Sequence, residues 1–350
     1  MQLTAPPQAA TFYELQAKNR RNSVLLILLF VGLTGFLGWG VDTFLFGYNP
    51  FAAAREGTVA LPVATLAAVF FASIFAAQGW YFGASQVLAS SLARPVDPSK
   101  PDEKQLLNVV DEMAIAAGIP APAVYVVPDP DPNAFAVGRD PQHASIAVTE
   151  GLLKSLTREE LQGVIGHEMS HVRNLDIRAM TLVTALFGAL ALLSDFSRRS
   201  MGWGFGGRRR SSSSSGGSGG GQIMILLFVL WLLVAVLAPI LGRLLALAVS
   251  RSREYLADAS SAELTRNPLG LASALRKIAS AVEPTRLVGQ GSAHLCIADP
   301  RGLGVNDSEG AVAELFGTHP PIGKRIAILE NMAGVVGTPF SEQAAAGPTG

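Results

Sequence analysis

The sequence predicts an α+β protein of the membrane, mainly helical, in which a small sheet and several helices build a soluble domain accompanied by about four transmembrane helices. Three observations carry that prediction. Four almost uncharged apolar runs recur along the 350-residue chain, two ahead of a change to soluble texture at Asp102 and two well behind it. Short β-branched stretches between residues 123 and 149 are separated by Pro- and Asp-rich turns, which is strand spacing. A histidine pair at i and i+4, His167 and His171, follows in a stretch of helical periodicity. Composition agrees, since 49% of residues are hydrophobic and 15% charged, more apolar and less charged than an ordinary soluble domain. The formal net charge is zero, so overall electrostatics point to no nucleic-acid partner. The single cysteine, Cys296, excludes an intrachain disulfide and a Cys-rich metal site, and beside Leu295 and Ile297 it reads as a packing residue.

Residues 1–22 form a polar N-terminal segment ending in Lys18, Arg20 and Arg21, which places the N-terminus in the cytoplasm. Residues 23–46 are long enough for a first transmembrane helix; the run is too long for a cleaved signal peptide and no small-x-small site follows it. A second span, 59–83, closes on the interfacial belt Trp80-Tyr81-Phe82 and returns the chain to the cytoplasm. After a Pro-marked connector over 85–100, the first part of the soluble domain occupies 100–178. Leu106, Val109, Val110, Met113, Ala114 and Ala117 recur at helical spacing up to Gly118. Strands are predicted at 123–127, 133–138 and 145–149. Thr157 and Glu160 then form a capping-box pair, so a helix starts near Arg158 and carries the histidines in its third and fourth turns.

A third apolar run, 179–196, is short for a full crossing, and a fourth, 223–249, is interrupted only by Arg243. Between them, 198–222 is a linker of Arg, Ser and Gly that reads as disordered. A hairpin that crosses fully puts the five arginines of this linker outside, against the positive-inside tendency, so a re-entrant or partly buried hairpin is the alternative. The second part of the soluble domain spans 250–332, with helices over 270–278 and 321–332 and an irregular stretch, 283–310, framing a cleft. A tail rich in Gly, Ala and Pro, 333–350, reads as disordered.

The chemistry centres on His167-Glu168-Met169-Ser170-His171. Residues four apart on a helix share a face, so both imidazoles reach one metal ion while Glu168 stands beside a water bound there, the layout of a zinc peptidase. The bland alternative is a pair of core histidines bonded to backbone. A catalytic zinc takes three protein ligands and keeps one position open, and Glu254, just after the fourth apolar run, is the chosen third ligand. Asp258, four residues on, accepts the other ring N–H of a bound imidazole, with His167 as first candidate. The competing view is a solvated, salt-bridged helix alongside Arg251 and Arg253; Glu263 is the rival carboxylate. Asn174 and Ile177 occupy the positions where a metzincin has Gly and His, which rules that arrangement out.

Together the segments Asn133-Ala134-Phe135-Ala136, Val164 to His171, Ser252 to Asp258 and Thr318-His319-Pro320-Pro321 resemble the HtpX-like membrane zinc metallopeptidases, a group related to the integral-membrane CaaX prenyl protease. The resemblance covers roughly residues 15–332. It implies a gluzincin-type domain with one zinc ion per chain at His167, His171 and Glu254, and Glu168 as catalytic base. It also implies Asn133 to Ala136 as an edge strand to which an extended substrate adds, and His319 as either an oxyanion stabiliser or an inhibitory ligand. The expected partners are polypeptide substrates, damaged or misassembled membrane proteins among them, and the lipid bilayer, with room for other membrane proteases. The expected location is a bacterial inner membrane, crossed several times, with the catalytic domain in the cytoplasm. Rival functions are a non-cleaving metal-binding adaptor, which has no need of Glu168, a prenyl-protein processing protease, and a channel, weakened by the scarcity of ionisable residues in the apolar runs. His143 and His294 read as structural.

Overall fold

The structure is a computed structural model that describes residues 12–49, 61–186, 228, 251–281, 287, 295–298 and 320–334. The expected linker 198–222, nearly all of the fourth apolar run, the third beyond Leu186, and His319 lie outside the described residues. The helices are α1 (Phe12–Gly40, running on through a π-helical turn, Val41–Leu45), α2 (Val63–Ser90), α3 (Pro101–Ala117), α4 (Glu150–Ser155), α5 (Arg158–Arg173), α6 (Arg251–Thr265), α7 (Pro268–Ala279) and α8 (Ile322–Met332). The strands are β1 (Arg94–Pro95), β2 (Ala123–Val127), β3 (Ala134–Gly138) and β4 (Ala144–Thr149). The described residues fall into two compact units, one holding those up to Ser23, those of Tyr81–Thr184 and those after Ala246, the other those of Val24–Trp80 and Ala185–Leu245.

Two helical stretches are long and apolar enough to cross a membrane, Tyr13–Phe44 with 32 residues and Val63–Ser90 with 28. The first helix begins ahead of the expected span 23–46 and the second, which starts inside the expected span 59–83, runs past its end, because a helix once nucleated propagates cheaply into flanking residues. In the second unit their inner parts pair closely. A Cβ on Gly38 would meet Ala64 O and Thr65 Cα at 2.8 Å, so the backbones touch where only glycine fits. Asp42 closes this contact: its carboxylate accepts from the backbone N–H groups of Ala64 (2.9 Å) and Thr65 (2.7 Å) and from Thr65 Oγ1 (2.7 Å). These are orphan donors of the first turn of α2, so the one acid in the first apolar run is a helix cap. Leu25, Leu28, Phe70 and Phe71 face outward, as lipid contact requires.

In the first unit the sheet runs β1-β2-β4-β3, with β2 and β4 parallel and the outer pairs antiparallel. The two-residue strand β1 lies in the stretch read as a connector, since it is too short to show a period. Its Arg94 makes two bonds to Glu103 at the start of α3, 2.6 and 2.9 Å long. That guanidinium and the Asp97 backbone N–H hold the Glu103 carboxyl at about 2, against the cost of burial. Helix α3 opens on Pro101 and stops at Gly118, whose φ of 67° only glycine adopts freely. Its apolar face, with Leu106, Val109 and Val110, joins Ile146, Ile165 and Leu271 in one fully buried core. Helix α5 crosses the middle of that core. Ser261 of α6 donates to the Gly163 carbonyl at 2.6 Å, and a Cβ on Gly163 would meet the Leu271 backbone N of α7 at the same distance, so α6 and α7 both press on the metal-motif helix.

Candidate metal centre

Helix α5 is anchored at its first turn. Thr157 accepts from the Glu160 backbone N–H and Glu160 accepts from that of Thr157 at 2.7 Å, while Ser273 and Lys277 of α7 also bond the Glu160 carboxylate. The other end is set by Leu175, which adopts φ 62° just after the C-cap Asn174. Such a conformation costs a leucine about 1–2 kcal/mol. It turns the chain sharply, so that Asp176, at the head of the next helical stretch (176–186), lies back beside His171.

The two imidazoles stand nearly perpendicular with ring centroids 4.8 Å apart. Their Nε2 atoms approach to 3.2 Å, and the Glu254 carboxylate from α6 lies 3.5 Å from His167 Nε2 and 3.6 Å from His171 Nε2. Ligand atoms of these three buried side chains all lie within 4.8 Å of one another. Each Nδ1 faces its own carboxylate: His167 meets Asp258 at 3.0 Å, and His171 meets Asp176 at 3.1 Å. With Nδ1–H donated outward, the lone pair of each Nε2 points at the common centre, the tautomer a metal needs. Two imidazoles and one carboxylate are also the donor set that suits zinc.

Charge favours a cation here. Burial pushes the His167 imidazole down, yet its bonds to Asp258 and Glu254 outweigh this and hold it up at about 9. The same two carboxylates that favour a proton on this imidazole favour a divalent ion, which takes the place of that proton on Nε2 when it binds. Glu168 shares the enclosure. Burial pushes its carboxyl above the usual carboxylate range, against the pull of both histidines, and its Oε2 is buried with no hydrogen-bond partner among the described residues. Asp258 is held at about 2: burial raises it, but Arg325 and His167 more than compensate.

Arg325 of α8 went unnoticed in the sequence, where an arginine on an amphipathic helix reads as surface. It is 1% exposed and donates to both Asp258 oxygens, Nε at 2.9 Å and Nη2 at 2.7 Å, and through Nη1 to Ile297 O at 2.8 Å. Its charge is strengthened by Asp258 and Glu254 in spite of burial. Asp176 was missed too; its position five residues past His171, just after a helix stop, is the signal that marks it. Burial alone would raise its carboxyl, but His171 and Arg253 keep it below the usual range. Asn133 to Ala136 lie at the outer edge of the sheet, where residues 296–298 run alongside them. Phe135 is bridged to Cys296, Ala134 O accepts from the Ile297 N–H at 2.9 Å, and Asn133 Nδ2 donates to Ala298 O at 3.2 Å. Buried apolar side chains of 295–298 hold that segment in place, and the irregular run around it gave no strand signal.

Residues 100–333 match Peptidase family M48. A "Protease HtpX homolog" of Caldanaerobacter subterraneus subsp. tengcongensis is 41% identical over 325 residues, covering 92% of this chain and 98% of that protein. Another, from Thermoanaerobacter pseudethanolicus, is 40% identical over 337 residues with the same coverage. Among solved structures, Ste24p of S. mikatae matches with a TM-score of 0.46 and 17% identity, over 91% of this chain and 67% of that one.

Proposed function

This chain belongs to peptidase family M48 and is a membrane metalloprotease, and on that footing we propose that His167, His171 and Glu254 hold one zinc ion with Glu168 as the base for peptide hydrolysis. The observation that supports this most is the convergence of two Nε2 atoms and one carboxylate on a buried point, with Glu168 next in sequence to His167 and its buried Oε2 without a hydrogen-bond partner among the described residues. Zinc bound there would polarise the scissile carbonyl and make a water acidic enough to attack it. Glu168 accepts the proton at Oε2 and delivers it to the leaving amine. Asp258 and Asp176 keep the imidazoles in the ligating tautomer. His319 enters this reading only through its motif, as oxyanion stabiliser or inhibitory ligand. Substrate addition along β3 is proposed together with displacement of residues 295–297 from that edge.

The resemblance to HtpX-like peptidases supports misfolded or damaged membrane proteins as substrates. Lys18, Arg20 and Arg21 ahead of the first apolar run support a cytoplasmic face of a bacterial inner membrane for the catalytic unit. The test is cleavage of an unfolded model protein by the detergent-purified full chain, with zinc content measured for wild type and Glu168→Gln. We expect equal zinc in both and hydrolysis slower by about 10²–10⁴-fold in the variant. A wild type that binds no zinc, or a variant that cuts as fast, overturns the reading.

A further inference from the structure

The first turns of α1 belong to the same compact unit as the metal site, and one side chain there reaches its outer shell. Asn19 is 5% exposed, and its single amide nitrogen uses both hydrogens: one bonds the Asn174 carbonyl at 2.8 Å, the other Asp176 Oδ1 at 2.7 Å. Asp176 carries His171 on its opposite oxygen, Oδ2, at 3.1 Å. Arg253 Nη1 also approaches Oδ1, far more loosely, at 3.5 Å. Burying a neutral amide has no purpose unless both its donors are satisfied, and here one closes an orphan carbonyl at the end of α5 while the other fixes a carboxylate.

We propose that Asn19 is a positioning residue for the metal site, acting through Asp176 to orient His171, so that the polar root of the first membrane helix is part of the catalytic apparatus. Gln16, one turn earlier on the same face, provides an internal control. It too donates to the end of α5, to Arg173 O at 2.8 Å, but has no bond to Asp176. If α1 served only to dock against α5, the two residues would be equivalent. The Asp176 carboxylate makes them different, since a loosened carboxylate lets the imidazole turn and weakens the grip of Nε2 on a metal.

The inference rests on His171 being a ligand, and the experiment separates the two. The full-length protein in detergent is stripped of metal and titrated with zinc against a chromophoric chelator, with thermal melting followed in parallel. Asn19→Leu is expected to weaken zinc binding by roughly tenfold, the low end of what partners of metal-bound imidazoles contribute. Its proteolytic activity should return at saturating zinc, which a merely structural defect would not allow. Gln16→Leu should leave zinc affinity unchanged. In an Asp176→Asn background, Asn19→Leu should cause no further loss, because the substituted amide, with its one oxygen taken by the His171 N–H, turns its NH2 to Asn19 and accepts nothing from it. Should Asn19→Leu fail to fold, Asn19→Ser keeps a polar group at the buried position without the reach to Asp176 and is expected to show the same loss. Equal losses for Gln16→Leu and Asn19→Leu, an undiminished loss in the Asp176→Asn background, or no loss at all overturn the proposal. A wild type without zinc overturns the metal reading itself, and this proposal with it.

Discussion

The two imidazoles of α5 are chemically alike but are held in unlike ways. His167 leans on Asp258, which comes from another helix, is gripped on both oxygens by the buried Arg325, and is tied through that arginine to Ile297 O. His171 leans on Asp176, five residues away in sequence, whose other oxygen takes a neutral amide and a distant guanidinium. One side is a buried charge pair built from three separate parts of the chain. The other is a local turn steadied from α1. On the proposed zinc reading, the difference teaches that the first carboxylate carries a buried ion pair of the fold as well as its imidazole, whereas the second is tied chiefly to its imidazole.

Arg325→Met breaks this comparison most directly. It leaves Asp258 charged and enclosed without its partner, and losing one member of a buried pair costs about 3–5 kcal/mol. We expect a strongly lowered melting temperature even with zinc added. A variant that melts like wild type would mean the pair is not what holds α8 to α6. Next in size is the pair of carboxylate variants. Asp176→Asn should weaken zinc binding by about 10–100-fold with little change in the melting temperature of the metal-free protein. Asp258→Asn should lower both, because Arg325 then loses its counter-charge. Equal melting temperatures for the two would erase the distinction drawn above.

The smallest effect belongs to a pair remote from the site. Glu103 sits at about 2 when folded and ordinarily at 4.5, so its bond to Arg94 stabilises the fold fully above that ordinary value. The contribution fades as pH falls from there towards about 2. Urea unfolding at a series of pH values should show wild type more stable than Glu103→Gln near neutrality and the gap closing in acid, with zinc affinity at pH 7 the same for both. A zinc effect from Glu103→Gln would show that the site feels charges well beyond its own helices.

What the sequence made legible follows from how local each contact is. The spacing of His167, Glu168 and His171, and of Glu254 and Asp258, is a helical repeat and can be read directly, as can the Thr157 and Glu160 cap. Gly118 marked the end of α3 for the same reason. Asp176 escaped because Leu175 leaves the helical region, so no period links it to His171. Arg325 and Asn19 escaped because their partners lie 67 and 157 residues away, and each sits in a stretch whose composition reads as solvent-facing. The bridge of 295–298 across β3 was invisible because one bridged residue has no alternation to show.

The Asp42 contact bears on how the protein is made. The donors that meet this acid are the backbone N–H groups of residues 64 and 65, so a chain synthesised only through the first apolar run does not yet contain them. A bare carboxylate resists entering lipid, and the resistance ends only when the second run has been synthesised and its first turn has folded. The pair, and not the single helix, is therefore the unit whose polar groups are satisfied within itself.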